Sequence, residues 1–232
     1  VIGDRILLTF ILSFSTLIFS WLISIPVGVY SATHQYSIGD YLITAINFIG
    51  RGIPEFMLAL VIMWWAMSSL GMSVGGLFSP QFITAPWSWA KIVDMLKHIW
   101  QPMVILAVGS TAGGIRTTRA NLLDELNKPY VETARAKGVA ERKVIWKYPV
   151  RVSLNPFFST VGWSLAGLIS GTTIVSIVLS LQTTGPMLYQ ALITQDMYLA
   201  GSFILLLSAL TVVGTLLSDL LLGWADPRIR LE

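Results

Sequence analysis

Glu132-Thr-Ala-Arg-Ala-Lys-Gly138 runs directly into Val139-Ala-Glu-Arg-Lys-Val-Ile-Trp-Lys-Tyr148, a short basic stretch between two long apolar segments. Pro129 suits the first turn of a helix, and Gly138 suits its end. The residues before Pro149 predict about two further helical turns. The stretch is too polar to lie in a membrane and indicates a surface that contacts another protein.

The composition places the chain among membrane proteins. Of its 232 residues, 54% are hydrophobic and only 12% are charged, and the mean hydropathy is +0.72. Soluble domains carry roughly 25% charged residues. Five apolar segments approach the ~20 residues that cross a bilayer. They predict an all-α, polytopic membrane helix bundle with spans at 6–30, 41–70, 99–115, 155–181 and 198–224.

Basic residues set the expected orientation, because cytoplasmic loops are enriched in Lys and Arg. Nine of the fifteen Lys and Arg residues fall between positions 116 and 151: Arg116, Arg119, Lys128, Arg135, Lys137, Arg142, Lys143, Lys147 and Arg151. This loop and the C-terminus are therefore expected to be cytoplasmic. Five spans then place Val1 outside, so we expect a sixth membrane helix upstream of it.

The sequence lacks the motifs that several classes of function require. The chain has no phosphate-binding G-x-x-x-x-G-K-[ST] loop, no H-E-x-x-H and no G-x-S-x-G. It has no cysteine, and its two histidines are far apart, so no metal site, no catalytic residue and no cofactor are expected in this chain. The net charge of +3 is concentrated in one loop and does not predict nucleic-acid binding. We expect no enzyme activity.

Arg51 and Glu55 are charged residues inside a predicted span, where such groups are functional candidates. In a continuous helix they would share a face and offset each other, and Pro54 between them would kink the helix beside a cavity. One interpretation is that Arg51, Pro54 and Glu55 line a substrate path. The alternative is a structural ion pair at a helix interface.

The basic loop also has two interpretations on physical grounds. Tyr130, Val131 and Ala134 can share one helix face, while Ala136 and Gly138 keep the adjoining surface low enough for a partner to approach. Alternatively, the loop is solvated and held by anionic lipid head groups.

A family resemblance favours the interpretation that the loop contacts a partner protein. Glu132, Ala134 and Gly138 match the EAA-x(3)-G pattern of bacterial ABC importer permeases, with Thr133 at the second position. The whole chain is similar to the B-type permease of the dipeptide, oligopeptide and nickel importers. The supporting segments are Leu126-Asn-Lys-Pro-Tyr130, Arg151-x-x-Leu-Asn-Pro156 and Asp226-Pro-Arg-Ile-Arg230. Ala140 departs from the family pattern, because a serine that caps the next helix usually stands there.

The resemblance implies a single permease domain over residues 1–232, with the type I importer fold and a coupling loop at 116–151. The coupling residues it implies are Tyr130, Glu132, Ala134, Arg135, Lys137 and Gly138. It also implies a bacterial inner-membrane assembly with a second, distinct permease, two ATPase subunits that bind ATP and Mg²⁺, and an extracytoplasmic substrate-binding protein.

The expected substrate is a short peptide, and an oligosaccharide remains an alternative. Nickel is less expected, because the chain lacks clustered soft ligands. A different class, an ion-coupled transporter or channel, would require acidic relays or a filter within the membrane.

Overall fold

The computed structural model describes residues 2–71 and 75–225, which form thirteen α-helices and no strand. The all-α prediction is confirmed. The Asp-Pro-Arg ending at 226–230 lies outside the described residues. The helices are α1 Ile2–Thr33, α2 Ile38–Gly52, α3 Glu55–Leu70, α4 Trp89–His98, α5 Trp100–Leu126, α6 Pro129–Ala136, α7 Glu141–Lys147, α8 Pro149–Ser153, α9 Asn155–Ser159, α10 Val161–Gly171, α11 Thr173–Val178, α12 Thr184–Ile193 and α13 Met197–Ala225.

Two helices in the described part of the chain, α1 and α13, are individually long and apolar enough to cross a membrane. The pairs α2–α3 and α4–α5 also qualify if each bent pair is one span, with bends of 99° and 47°. The segment 155–181 is not one continuous helix, because it divides into α9, α10 and α11. At these breaks, the hydroxyls of Thr160 and Thr172 bond to carbonyls three or four residues earlier, which competes with regular helix bonding. The count of five spans stays a prediction.

The predicted kink at Pro54 is a full break. Ile53 adopts an extended conformation (φ −85°, ψ 123°), and Pro54 precedes the first residue of α3. Proline disfavours the helical region for the residue before it and cannot donate a backbone hydrogen bond. The expectation that Arg51 and Glu55 share one helix face is therefore wrong, since they belong to two helices 99° apart.

Small and hydroxyl-bearing residues hold α1 against α5. A Cβ built on Gly28 would lie 2.6 Å from the Cβ of Thr118, and one on Gly114 would lie 2.7 Å from the Oγ of Ser24. This close approach resembles the packing that small residues allow between membrane helices. The side of α1 that faces inward carries the buried residues Thr9, Ser13, Thr16, Ser20, Ser24 and Ser31.

Helices α10 and α13 cross at a second glycine contact. A Cβ on Gly162 would lie 2.1 Å from the carbonyl carbon of Gly214. The Gly162 amide donates to the Ser218 hydroxyl at 2.8 Å, and that hydroxyl donates to the Gly214 carbonyl at 3.0 Å. Because Gly162 lies in the first turn of α10, Ser218 satisfies a backbone donor that has no partner within its own helix.

An ion pair ties the start of α2 to α5. Asp40, which is 3% exposed, accepts hydrogen bonds from Arg119 Nε at 2.9 Å and Nη2 at 2.8 Å. It also accepts from the Ser31 hydroxyl and from the Tyr36 amide. The cap of α2 is Ser37, whose hydroxyl accepts from the Asp40 amide. Asp40 instead connects α1, α2 and α5.

Candidate functional site

The coupling segment, defined here as residues 129–148, contains α6, a tight turn and α7, as the sequence predicts. Gly138 adopts a left-handed conformation with φ +71°. Its amide donates to the Arg135 carbonyl at 2.9 Å, and the Val139 amide donates to the Ala134 carbonyl at 3.4 Å. Glycine reaches this conformation without strain, so Gly138 ends α6 and turns the chain toward α7.

One face of the coupling segment points inward. Val131 and Val144 are fully buried and pack with Ala134, with Tyr148 beside them. Tyr130 reaches back and donates its hydroxyl to the Glu125 carboxylate at the end of α5. Two predicted coupling residues, Tyr130 and Ala134, therefore hold the segment together and attach it to α5, rather than facing outward.

The opposite face is exposed. Glu132, Arg135, Lys137 and Gly138, all predicted coupling residues, lie on it together with Ala136. A Cβ built on Gly138 would meet no atom of the described residues within 4 Å. The outer surface is thus low around Ala136 and Gly138 and is bordered by charges of both signs.

Arg135 and Glu141 bridge the two short helices. The Arg135 guanidinium donates to the Glu141 carboxylate at 2.7 Å from Nη2 and at 3.1 and 3.2 Å from Nε. These hydrogen bonds lower the pKa of Glu141 and raise the pKa of Arg135. The side chains are 42% and 55% exposed, so the pair contributes at most ~1 kcal/mol. It braces the start of α7, where Ala140 provides no side-chain cap.

Arg51 and Glu55 line one cavity of about 280 Å³, which is bounded by Leu58 of α3 and by Val108 and Gly109 of α5. A Cβ on Gly109 would lie 3.4 Å from Glu55 Oε1. Within the described ranges, neither a hydrogen bond nor an ion pair joins Arg51 to Glu55. The expectation that Arg51 and Glu55 offset each other's charge, which assumed a continuous helix, is therefore wrong. Pro54 does not line this cavity and acts by breaking the helix.

A second cavity, of about 180 Å³, is also lined by Arg51. Thr44 and Asn47 of α2 face it, as do Arg116 and Arg119 of α5. Arg119 is engaged by Asp40, whereas Arg51 and Arg116 make no ion pair with the described residues. The cavity therefore has a strongly positive lining.

The polar, uncovered face of α5 was not predicted from the sequence. This face carries Ser110, Gly113, Thr117, Ala120 and Asp124, of which all but the partly exposed Gly113 are exposed. Their spacing of three to four residues puts them on one side of a helix. Small and hydroxyl residues at that spacing in an otherwise apolar segment were the available signal.

A third cavity, of about 410 Å³, extends from this face toward α1, α9 and α10. Trp21 and Trp163 provide aromatic surfaces, and Ser20, Thr160 and Ser164 provide hydroxyls. Helix α5 thus borders both the charged cavities at the α2–α3 break and an aromatic, hydroxyl-lined cavity at α10. This arrangement can line an aqueous path through a membrane.

Comparison with known proteins gives a family match over most of the chain. The profile described as "Binding-protein-dependent transport system inner membrane component" matches residues 24–231. The oligopeptide transport system permease protein AppB of Bacillus subtilis (strain 168) is 33% identical over 225 residues, which is 96% of this chain and 69% of AppB. The peptidoglycan transport system permease protein YejB of Agrobacterium fabrum is 32% identical over 233 residues, which is 99% of this chain and 64% of YejB.

Among solved structures, a chain of the MetNI methionine ABC transporter in its inward-facing conformations has a TM-score of 0.74 at 19% identity. The match covers 97% of this chain and 96% of that chain. This similarity establishes the fold and confirms the predicted type I importer architecture.

Proposed function

The chain belongs to the family of binding-protein-dependent transport system inner membrane components, and we propose that it forms one half of a membrane path for short peptides. As a permease subunit of an ABC importer, it is a transport component and not a catalytic subunit.

The observation that carries the proposal is the continuity of α5. This helix runs unbroken from Trp100 to Leu126, and it contributes residues to the lining of all three cavities. Only two residues separate its end from the start of α6, and the Tyr130 hydroxyl donates to Glu125 on the last turn of α5. A displacement of α6 would therefore be transmitted directly to the lining of the path.

The proposed partners follow from the two ends of this helix. The exposed face of α6 would sit on one of two ATPase subunits, which bind ATP and Mg²⁺. A second permease would cover the open side of α5 and complete the path, and a substrate-binding protein would deliver the peptide from outside. The coupling segment and the C-terminus would be cytoplasmic. ATP would act only through its different affinity for the two states of the permease.

The charges near the path favour a peptide. A peptide carries both an ammonium and a carboxylate, and the cavities beside Arg51 offer groups of both signs. Relatives whose names specify oligopeptide and peptidoglycan transport agree with this substrate class. An oligosaccharide is the second candidate, because Trp21, Trp163 and the neighbouring hydroxyls form a cavity suited to sugar rings.

Substituting Gly138→Arg is expected to abolish peptide import and peptide-stimulated ATP hydrolysis while leaving the permease folded. The arginine would project from the exposed face of α6, where it would separate the segment from the ATPase. Strain from the left-handed backbone adds about 1–2 kcal/mol locally. Import of labelled peptide into proteoliposomes containing the whole complex and its binding protein measures the effect.

Lys97→Gln on α4 is the control, because Lys97 is exposed and lies at the far end of α5 from the coupling segment. The control should import at the wild-type rate. Wild-type import by the Gly138→Arg complex would remove the coupling role. Import of oligosaccharides but not peptides by the wild-type complex would select the second candidate.

A further inference from the structure

We propose that the α2–α3 break is a binding site for zwitterionic peptides, with Arg51 and Arg116 holding the carboxylate and Glu55 holding the ammonium. This assignment rests on the proposed peptide-import function and specifies how the path recognises its substrate. The helix break creates it, since the two charged residues would otherwise face each other along one helix.

The charges at the break are available to a ligand. Arg51, Arg116 and Glu55 are exposed, and none forms an ion pair with the residues at 2–71 and 75–225. An arginine facing the centre of a bilayer costs about 2.5–3.5 kcal/mol even on the most lenient scales. Such groups are retained when they face water or a charged ligand, so their location beside two cavities is informative.

The positive cavity suits a carboxylate. Arg51 and Arg116 present guanidinium groups, which bind carboxylates in a two-point geometry. Asn47 and Thr44 add neutral hydrogen-bonding groups to the same lining. Arg119, the third arginine there, is already held by Asp40, so it positions α2 against α5 rather than competing for the ligand.

The separation of the two charged positions matches a short peptide. Glu55 lies at the level of Gly109, and the positive cavity is lined on the same helix by residues from Ala112 to Arg119, among them Arg116. Seven residues of helix rise about 10 Å between Gly109 and Arg116. Three extended residues span a similar distance of about 10 Å. Each cavity alone is smaller than the ~300–1,000 Å³ of most ligand pockets, so each would hold one end of the peptide.

A lipid head group fits the site less well. Glu55 lies about nine residues along α5 from Trp100, or about 14 Å, which is near the middle of a ~30 Å hydrocarbon layer. Lipid phosphates lie at the surface of that layer, and Glu55 would repel a phosphate held by Arg51.

The order of the charges also gives the peptide an orientation in the site. The carboxylate end lies nearer to α6, so the peptide would travel with that end leading.

The test measures binding of radiolabelled trialanine to the complete complex of both permeases and the ATPases in nanodiscs, without the binding protein. Arg51→Gln is expected to weaken trialanine binding about tenfold and to leave binding of trialanine amide unchanged. Glu55→Gln should weaken trialanine binding similarly and leave N-acetyl-trialanine unchanged. Arg51→Lys should restore part of the loss, and Lys97→Gln should match wild type.

Three results would overturn the site. The first is that the wild-type complex shows no saturable binding at millimolar trialanine. The second is that a variant loses affinity equally for the free and the blocked peptides. The third is that the loss of affinity follows the anionic lipid content of the nanodisc, which would mark a lipid site. Import of trialanine into wild-type proteoliposomes with the binding protein tests the proposed function separately from the proposed binding site. If import occurs but any of these results is found, the site is wrong and the proposed function stands.

Discussion

Substituting Gly162→Ala is expected to force α10 away from α13 and to destabilise the folded chain by about 3 kcal/mol or more. The added methyl group would lie 2.1 Å from the carbonyl carbon of Gly214 and 2.4 Å from the Thr215 amide nitrogen. These are backbone atoms of a long helix, so they cannot move aside as a side chain could. Separation would also break the hydrogen bond from the Gly162 amide to Ser218.

Thermal unfolding of the purified chain in detergent measures this effect, with Gly201→Ala as the matched control. Gly201 also lies in a helix that contacts α10, but a Cβ there meets no described atom within 4 Å. Alanine favours a helix over glycine by ~1 kcal/mol, so the control should be as stable as wild type or slightly more stable. If both variants unfold at the same temperature, the helices do not cross at Gly162.

Substituting Arg119→Gln is expected to cost about 3 kcal/mol, because it leaves the buried Asp40 carboxylate without its charged partner. The value is at the low end for a buried pair, since the Arg119 side chain is 28% exposed. Ser31 and the Tyr36 amide would still donate to Asp40, but neither carries a charge. The junction of α1, α2 and α5 would loosen.

A double-mutant cycle with Asp40→Asn tests this explanation through the same unfolding measurement. Removing both charges should recover stability relative to Arg119→Gln alone, because no uncompensated charge then remains buried. If the stability losses of Arg119→Gln and Asp40→Asn simply add in the double variant, Arg119 stabilises the chain through packing and not through Asp40.

The coupling segment was predictable because local backbone chemistry determines it. Pro129 can begin a helix, Gly138 can turn left-handed, and Pro149 lacks the amide needed to continue α7. Each residue acts within one turn of itself, so the bounds of α6 and α7 follow from the sequence. The inward orientation of Ala134 could not be predicted in this way, because it depends on packing against Val144 of α7.

The proposed membrane path was only partly predictable from the sequence. Pro54 indicated a distortion, but a 99° break also depends on Gly52, on the extended Ile53 and on the packing of α3 against α5. The polar face of α5 was readable as a spacing of small and hydroxyl residues. Which face stays uncovered depends on where α1 and α10 pack, and those contacts join residues far apart in the sequence.

The proposed function requires that the exposed face of α6 contacts the ATPase and transmits its motion to α5. The chain contains no cysteine, so Ala136→Cys introduces a single thiol on that face for a photo-crosslinker, and Lys97→Cys provides the control. In the complete complex, the label at position 136 should form an adduct with the ATPase subunit and block peptide-stimulated ATP hydrolysis, while the label at 97 should do neither. An adduct with lipid alone, with ATP hydrolysis unchanged, would contradict the claim.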